Sequence, residues 1–327
     1  MPILRDNPED IRQTVDILKN GGIVAIPTET VYGLAADALN PQACRRIFEI
    51  KGRPLIDPLI VHVYALKQAE QLAIFSQEAK RLAKIFWPGP LTLVLPKKLV
   101  VPDIVTANQK TVAIRIPRHP LLRKVLRTSK LTLAAPSANP FGYVSPTRPE
   151  HISASLGDRV PYILNGGPCT VGIESTILDM STPSKPRVLR PGPITQRMLK
   201  NQLSAPLNPL SLKESKEEPQ RIAPGMMKKH YSPNTALFLL DPGSPIPTDA
   251  PPKSAWVRFS RETQNQNRRA AAFWLSESND LREAARNLFA LLRALDTQQY
   301  QAIYLEKMPN RGIGAAINDR LQRAAAS

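Results

Sequence analysis

The chain has 327 residues, enough for two domains with separate cores, and a formal net charge of +17 at pH 7. That charge suits a polyanionic partner (nucleotide, RNA or both) as well as a merely basic surface, and its excess lies mainly in residues 1–200, with 27 Lys and Arg against 15 Asp and Glu. Two cysteines, Cys44 and Cys169, exclude a disulfide framework, no Cys or His spacing suggests zinc, and no signal pattern or bilayer-length apolar run is present, so a soluble cytoplasmic protein is expected.

Asn7-Pro-Glu-Asp10 opens a helix: an N-cap, a proline in the first turn and acids at the positive end of the dipole, with Gly21-Gly22 as its stop. Ile23–Ile26 reads as a short buried strand, Thr28–Leu34 as a polar turn, and Pro41–Ile50 as a helix. Lys51-Gly-Arg53 then sets two cations on a loop that Pro54 and Pro58 stiffen, leading into a strand at Leu59–Val63 that carries His62. Two helical patterns fill 66–86, Trp87–Thr92 is a loop, and strands are expected at Leu93–Leu95, Thr111–Pro117, Leu131–Ala135, Tyr162–Leu164, Thr176–Leu178 and Val188–Arg190. Strands interrupted by few helices imply an α/β unit with an open, twisted mixed sheet over residues 1–201.

Residues 202–233 break the pattern with prolines and a charged, polar run, and read as a linker. A second, smaller α/β unit is expected over 234–327, with strands at Leu237–Leu240, Ala255–Arg258, Ala271–Leu275 and Ala302–Leu305. Its helices are expected at Leu281–Leu295, with Ala284, Leu288, Leu291 and Leu295 on one face, and at Gly314–Ala326.

Lys51 and Arg53 suit the phosphates of ATP and the charge that develops on departing pyrophosphate, or a solvated pair at a helix end. Arg115, a lone charge among isoleucines, needs an anion if buried: a structural acid such as Glu174, or a substrate carboxylate. Ser137 and Asn139 close a strand where α/β sheets keep their sites, and could bind phosphate or ribose or form an ordinary Asx or Ser turn; Ser145, Ser175 and Thr30 carry the same ambiguity. The absence of GxxxxGK[ST] and GxGxxG motifs disfavours a P-loop or dinucleotide enzyme.

Eight stretches in one order resemble a known family: Pro27–Leu34, Lys51–Pro54, Pro58–His62, Trp87–Thr92, Arg115–Pro117, Pro136–Asn139, Gly172–Thr176 and Leu189–Gly192 are similar to those of threonylcarbamoyl-AMP synthases, the YrdC-like fold. Ala223–Pro233 resembles the linker of the long two-domain form, and Arg311–Leu321 the end of its C-terminal, Rossmann-like domain. The resemblance implies condensation of L-threonine, bicarbonate and ATP, with Mg2+ on the phosphates, to threonylcarbamoyl-AMP and pyrophosphate. The enzyme would be a nucleotidyltransferase serving tRNA modification, with a separate threonylcarbamoyl transferase downstream. Carried over by position, Thr30, His62, Arg115, Ala135 and Ser175 would contact threonine. Arg53, Asp57, Thr111, Ser137, Asn139, Ser145, Arg190 and Tyr231 would line the ATP or adenylate side, with Lys51 and Arg53 as the catalytic cations. Asp57 stands where the family usually has asparagine, which implies an altered ATP site or a metal ligand. Residues 202–233 are expected to act as a lid hinged at Pro224-Gly225. The alternative is a double-stranded RNA or tRNA-binding module with incidental nucleotide binding.

Overall fold

The structure is a computed structural model that describes residues 2–208, 223–225, 230–261 and 271–326. Its first part carries β1 (Ile3–Leu4), β2 (Val24–Ile26), β3 (Gly33–Asp37), β4 (Ile60–His62), β5 (Leu91–Pro96), β6 (Thr111–Arg115), β7 (Leu133–Ala134), β8 (Ile163–Leu164), β9 (Thr176–Asp179) and β10 (Arg187–Arg190). They form a ten-stranded sheet in the order β1-β8-β2-β3-β7-β4-β6-β5-β9-β10. Parallel pairs such as β4–β6 and antiparallel ones such as β5–β6 make it mixed, as expected. The helices are α1 (Pro8–Lys19), α2 (Pro41–Lys51), α3 (Leu66–Leu72), α4 (Gln77–Phe86), α5 (Asp103–Thr106), α6 (Pro120–Ser129), α7 (Pro149–Leu156) and α8 (Gln196–Lys200). This is more helix than the strand-rich reading allowed.

Local chemistry explains the boundaries. The Asn7 side chain accepts a hydrogen bond from Asp10 N, capping α1 as expected. Asn40 does the same for α2 from Gln42 N and Ala43 N, and α2 ends at Lys51 because Gly52 takes a left-handed conformation (φ 62°). Lys51 is therefore the last residue of a helix, not part of the loop.

Alternation along the strands sorts the core. Ala25, Leu34 and Ala36 face α2, α3, α4, α5 and α7 in one apolar cluster, while Val24, Ile26 and Ala35 face α1 and α6 in another. The helices of that second face cover β1, β8, β2, β3 and β7. Further along it, Ile60, Val94, Ala113, Ile177 and Leu189 are covered by Ala223, from the linker. The functional side chains emerge on this face.

The second part holds β11 (Ala236–Leu240), β12 (Ser254–Ser260), β13 (Ala271–Ser276), α9 (Leu281–Asp296), β14 (Ala302–Glu306) and α10 (Gly314–Ala324). Its four strands are all parallel, in the order β11-β14-β12-β13. In α9 the buried stripe is Ala284, Ala285, Leu288, Phe289, Leu292, Arg293 and Leu295; Leu291 is only partly buried. The core around α9 and α10 is not private to this part. Val31, Val144, Ile173 and Tyr231 belong to the same apolar cluster as Leu288 and Phe289. At Gly172 (φ 85°) an added Cβ would come within 2.4 Å of Arg286 Cα, so the two parts meet backbone to backbone.

Candidate active site

The cavity opens where β4 and β6 end, on the face that the linker covers. Its walls include Thr28, Thr30, Arg53, His62, Arg115, Ala135, Ser137, Glu174, Ser175, Arg190, Pro224, Gly225, His230 and Tyr231. The β4–β6 register places His62 beside Arg115. Arg115 is buried, its Nη1 donates to Thr30 Oγ1 at 3.0 Å, and its Nη2 pairs with Glu29 Oε2 at 2.7 Å. The structural acid is thus Glu29 and not Glu174. Glu174 instead pairs with Arg320 of α10 at 2.9 Å and accepts from Ser145 Oγ at 2.5 Å. Burial, with Arg115 next to it, pushes the His62 pKa down to about 3, so its ring is neutral at pH 7.

On the other side of the cavity, Arg53 Nε and Nη2 donate to the carbonyls of Asp57 and Pro58, and Nη2 pairs with the Asp57 carboxylate at 3.0 Å. Asp57 is fully buried, and its charge is spent on Arg53. Among the described residues no group of three or more His, Cys, Asp or Glu could hold a metal ion. Arg190 donates from Nε to Ser175 O and from Nη2 to Ser175 Oγ, while Nη1 reaches Pro224 O at 3.4 Å.

Four other expected residues stand behind the wall. Lys51 Nζ donates to Ser137 O and Asn139 O, both at 2.5 Å, so it braces the strand-end loop. Burial, then neighbouring Arg53, pushes its pKa well below the lysine range. Asn139 Nδ2 donates to Pro140 O and Tyr143 O, and Ser145 is held by Glu174. Thr111 lies at the opposite end of β6 from Arg115, paired with Pro96.

Pro224, Gly225, His230 and Tyr231 line the cavity. Gly225 (φ 80°) lets the backbone approach Tyr231 and Arg190; a Cβ there would sit 2.7 Å from Tyr231 Oη. The Tyr231 ring stacks on Phe289 of α9 at 5.7 Å, and Ser232 N donates to Gly142 O. His230 is buried, and that burial, with Arg53, Lys51, Arg190 and Arg320 around it, keeps its ring neutral. Residues 209–222 and 226–229, including Lys228-Lys229 and most of the expected lid, lie outside the described residues. The cavity that remains is about 50 Å3, against about 300–1,000 Å3 for a typical small-molecule site.

Glu29 and His230 carried no assigned role in the sequence. The signal for Glu29 was its place between two threonines in Thr28-Glu-Thr30, and for His230 its place beside Tyr231.

A family model described as "Telomere recombination" (Sua5_yciO_yrdC) matches residues 16–192, and one described as "Threonylcarbamoyl-AMP synthase, C-terminal domain" matches residues 194–326. A threonylcarbamoyl-AMP synthase of Bacillus subtilis is 39% identical over 346 residues, covering 98% of this chain and 94% of the relative.

The chain belongs to the threonylcarbamoyl-AMP synthase family.

The family member from Pyrococcus abyssi is 36% identical over 324 residues, covering 96% of this chain and 94% of its own. The crystal structure of Sua5 from that organism complexed with L-threonine superposes with a TM-score of 0.87 at 34% identity, covering 99% of this chain and 97% of the other. Family membership thus extends over both sheets. Among the described residues, no helix is long and apolar enough to cross a membrane.

Proposed function

We propose that this chain is an L-threonylcarbamoyladenylate synthase, a nucleotidyltransferase. L-Threonine, bicarbonate and ATP become threonylcarbamoyl-AMP, pyrophosphate and water. The observation that carries the reading is Arg115: a buried guanidinium at the end of a sheet strand, in the wall of a cavity whose other side holds Arg53 and Arg190. One cavity with two cationic ends suits one carboxylate and one polyphosphate. The relative solved with L-threonine supports the same substrate for this chain.

In this reading Arg115 forks onto the threonine carboxylate, with Thr30 and Ser175 as hydroxyl partners, Ala135 as an apolar wall, and His62 as a neutral acceptor. The amine adds to CO2 derived from bicarbonate, giving the carbamate. A carbamate oxygen then attacks the α-phosphate in line, and pyrophosphate leaves. Arg53 and Arg190 stabilise charge on the phosphates, Ser137 orients the nucleotide, and Lys51 holds the Ser137–Asn139 backbone in place. Mg2+ would enter as the companion of ATP and would supply charge neutralisation on its phosphates.

Residues 1–201 form the catalytic unit in this proposal, 202–233 the lid and 234–327 the second unit. With a cavity of about 50 Å3, entry of ATP in this reading involves withdrawal and return of the segment carrying Gly225, His230 and Tyr231. The deciding experiment measures pyrophosphate release from MgATP and bicarbonate with and without L-threonine, together with the mass of the adenylate. Release that ignores threonine, or no release while structured RNA still binds, would overturn the reading.

A further inference from the structure

The sequence Arg311–Leu321 stood out as a motif, yet the reaction above leaves it without a task. Its Arg320 is the largest fully buried side chain among the described residues. It leaves α10, in the second part, and reaches into the wall of the cavity in the first. There its Nε donates to Glu174 Oε2 at 2.9 Å, its Nη1 donates to Asp319 Oδ2 at 2.6 Å, and its guanidinium lies 5.4 Å from the centre of the Tyr231 ring. The other Glu174 oxygen accepts from Ser145 Oγ.

Glu174 is the problem this arrangement solves. It lines a cavity whose other charged walls, Arg53, Arg115 and Arg190, are cationic. A bare carboxylate there would repel a nucleotide, and burying it unpaired is costly. Arg320 cancels that charge from behind and fixes the carboxylate, which in turn holds the Ser145 hydroxyl. Arg293 of α9 acts nearby in a similar way, donating from Nη2 to Val144 O and from Nη1 to His151 O, so the loop carrying Ser145 is tied to the second part at both levels.

We propose that Arg320 is a positioning residue for the condensation, acting through Glu174: the second part of the chain supplies the countercharge that lets the first part accept an anionic nucleotide. This rests on the synthase reading for its substrate. It assigns the second part a role in nucleotide affinity, beyond packing.

The test uses the full chain and three variants, Arg320→Gln, Glu174→Gln and the double variant, each checked by thermal melting. Arg320→Gln should raise KM for ATP about tenfold or more, the scale expected for unmasking a charge beside a polyanion, with KM for threonine changed far less. Glu174→Gln should move KM for ATP the other way, and the double variant should recover most of the Arg320→Gln loss. A role in packing alone would shift both single variants in the same direction and leave the double variant worst of all; that pattern, or an unchanged KM in Arg320→Gln, overturns the proposal. Should Arg320→Gln not fold, Arg320→Lys, which keeps the charge and loses the fork, should raise KM for ATP by less than about tenfold; a larger rise overturns the proposal equally. The same series is read by equilibrium ATP binding. A wild-type chain without threonine-dependent turnover would then sink the synthase reading, while the binding pattern still decides Arg320.

Discussion

Two arginines of this molecule look alike in sequence and do different work. Arg115 and Arg258 each interrupt an apolar strand, each is buried, and each pairs with a glutamate: Glu29 at 2.7 Å and Glu306 at 3.5 Å. Arg258 is boxed in. Its guanidinium lies 3.8 Å over the Trp256 ring, Nη2 donates to Ser244 O, and Glu306 also accepts from Gly243 N and Phe259 N. Arg115 shares its guanidinium between Glu29, Thr30 and a cavity. A charge in a strand signals only that an anion is needed; whether the anion is part of the fold or arrives from outside depends on what stands beyond the strand end.

The sharpest way to break that comparison is Arg115→Ala. It should lower threonine-dependent pyrophosphate release about a thousandfold, the upper range for removing a preorganised charge donor, and, because it leaves Glu29 buried without its partner, it should also cost about 3–5 kcal/mol of stability. Arg258→Ala should cost stability without costing turnover. Leaving Glu306 buried without its partner should cost about 3–5 kcal/mol of stability, read as a lower denaturation midpoint, with turnover per folded molecule retained. If Arg258→Ala instead abolished turnover in a folded chain, the division between the two sites would be wrong.

A third test concerns protons. Burial pushes His62 down to about 3 and His151 down to about 4, against an ordinary value near 6.5 in the unfolded chain. A group whose folded pKa is depressed gives its full stability above the unfolded value. That stability should therefore be constant above about pH 6.5 and fall as the unfolded chain takes up protons on the way to pH 4. Melting curves across this range should show the decline, and His62→Gln should flatten part of it. A slope unchanged by His62→Gln would mean the ring is not buried neutral. The smallest effect is expected from Asp57→Asn. With its carboxylate spent on Arg53, removing the charge should leave turnover intact and the apparent constant for ATP equal or lower; a collapse of turnover would mean that the ion pair itself holds Arg53 in place.

Most of the architecture was legible because strands and caps are local. Asn7 and Pro8 announced α1, and eight of the ten strands of the first sheet carried their own apolar runs. The two that escaped are informative. β1 has only two residues, and β3, Gly33-Leu-Ala-Ala-Asp37, lacks β-branched side chains and begins with a Tyr-Gly pair that reads as a turn; its pairing with β2 overrides propensity. In α6 the apolar Leu121, Leu122, Val125 and Leu126 gave a helical face that the strand-based reading passed over. At the site, Arg115 was visible because it was out of place, but its partner lies 86 positions earlier in the chain and no spacing rule reaches that far. Lys51 was placed on phosphate by its charge, whereas two carbonyls 86 and 88 residues away claim its amine. Long-range partners are properties of the folded sheet, and the motif order of the family was the stronger guide to which residues would meet.

The apolar cluster shared between Val31, Val144, Ile173 and the residues of α9 has a consequence for how the protein is made. A ribosome adding about 5–20 residues per second releases residues 1–200 several seconds before α9 exists. During that interval the first sheet can close, but Val31, Val144 and Ile173 face water, and Glu174 waits for an arginine still to be translated. The newborn chain thus carries a sticky surface and an incomplete wall until its last described helix arrives. Pauses in translation between residues 200 and 314 would lengthen that exposure, and chaperone demand should track them.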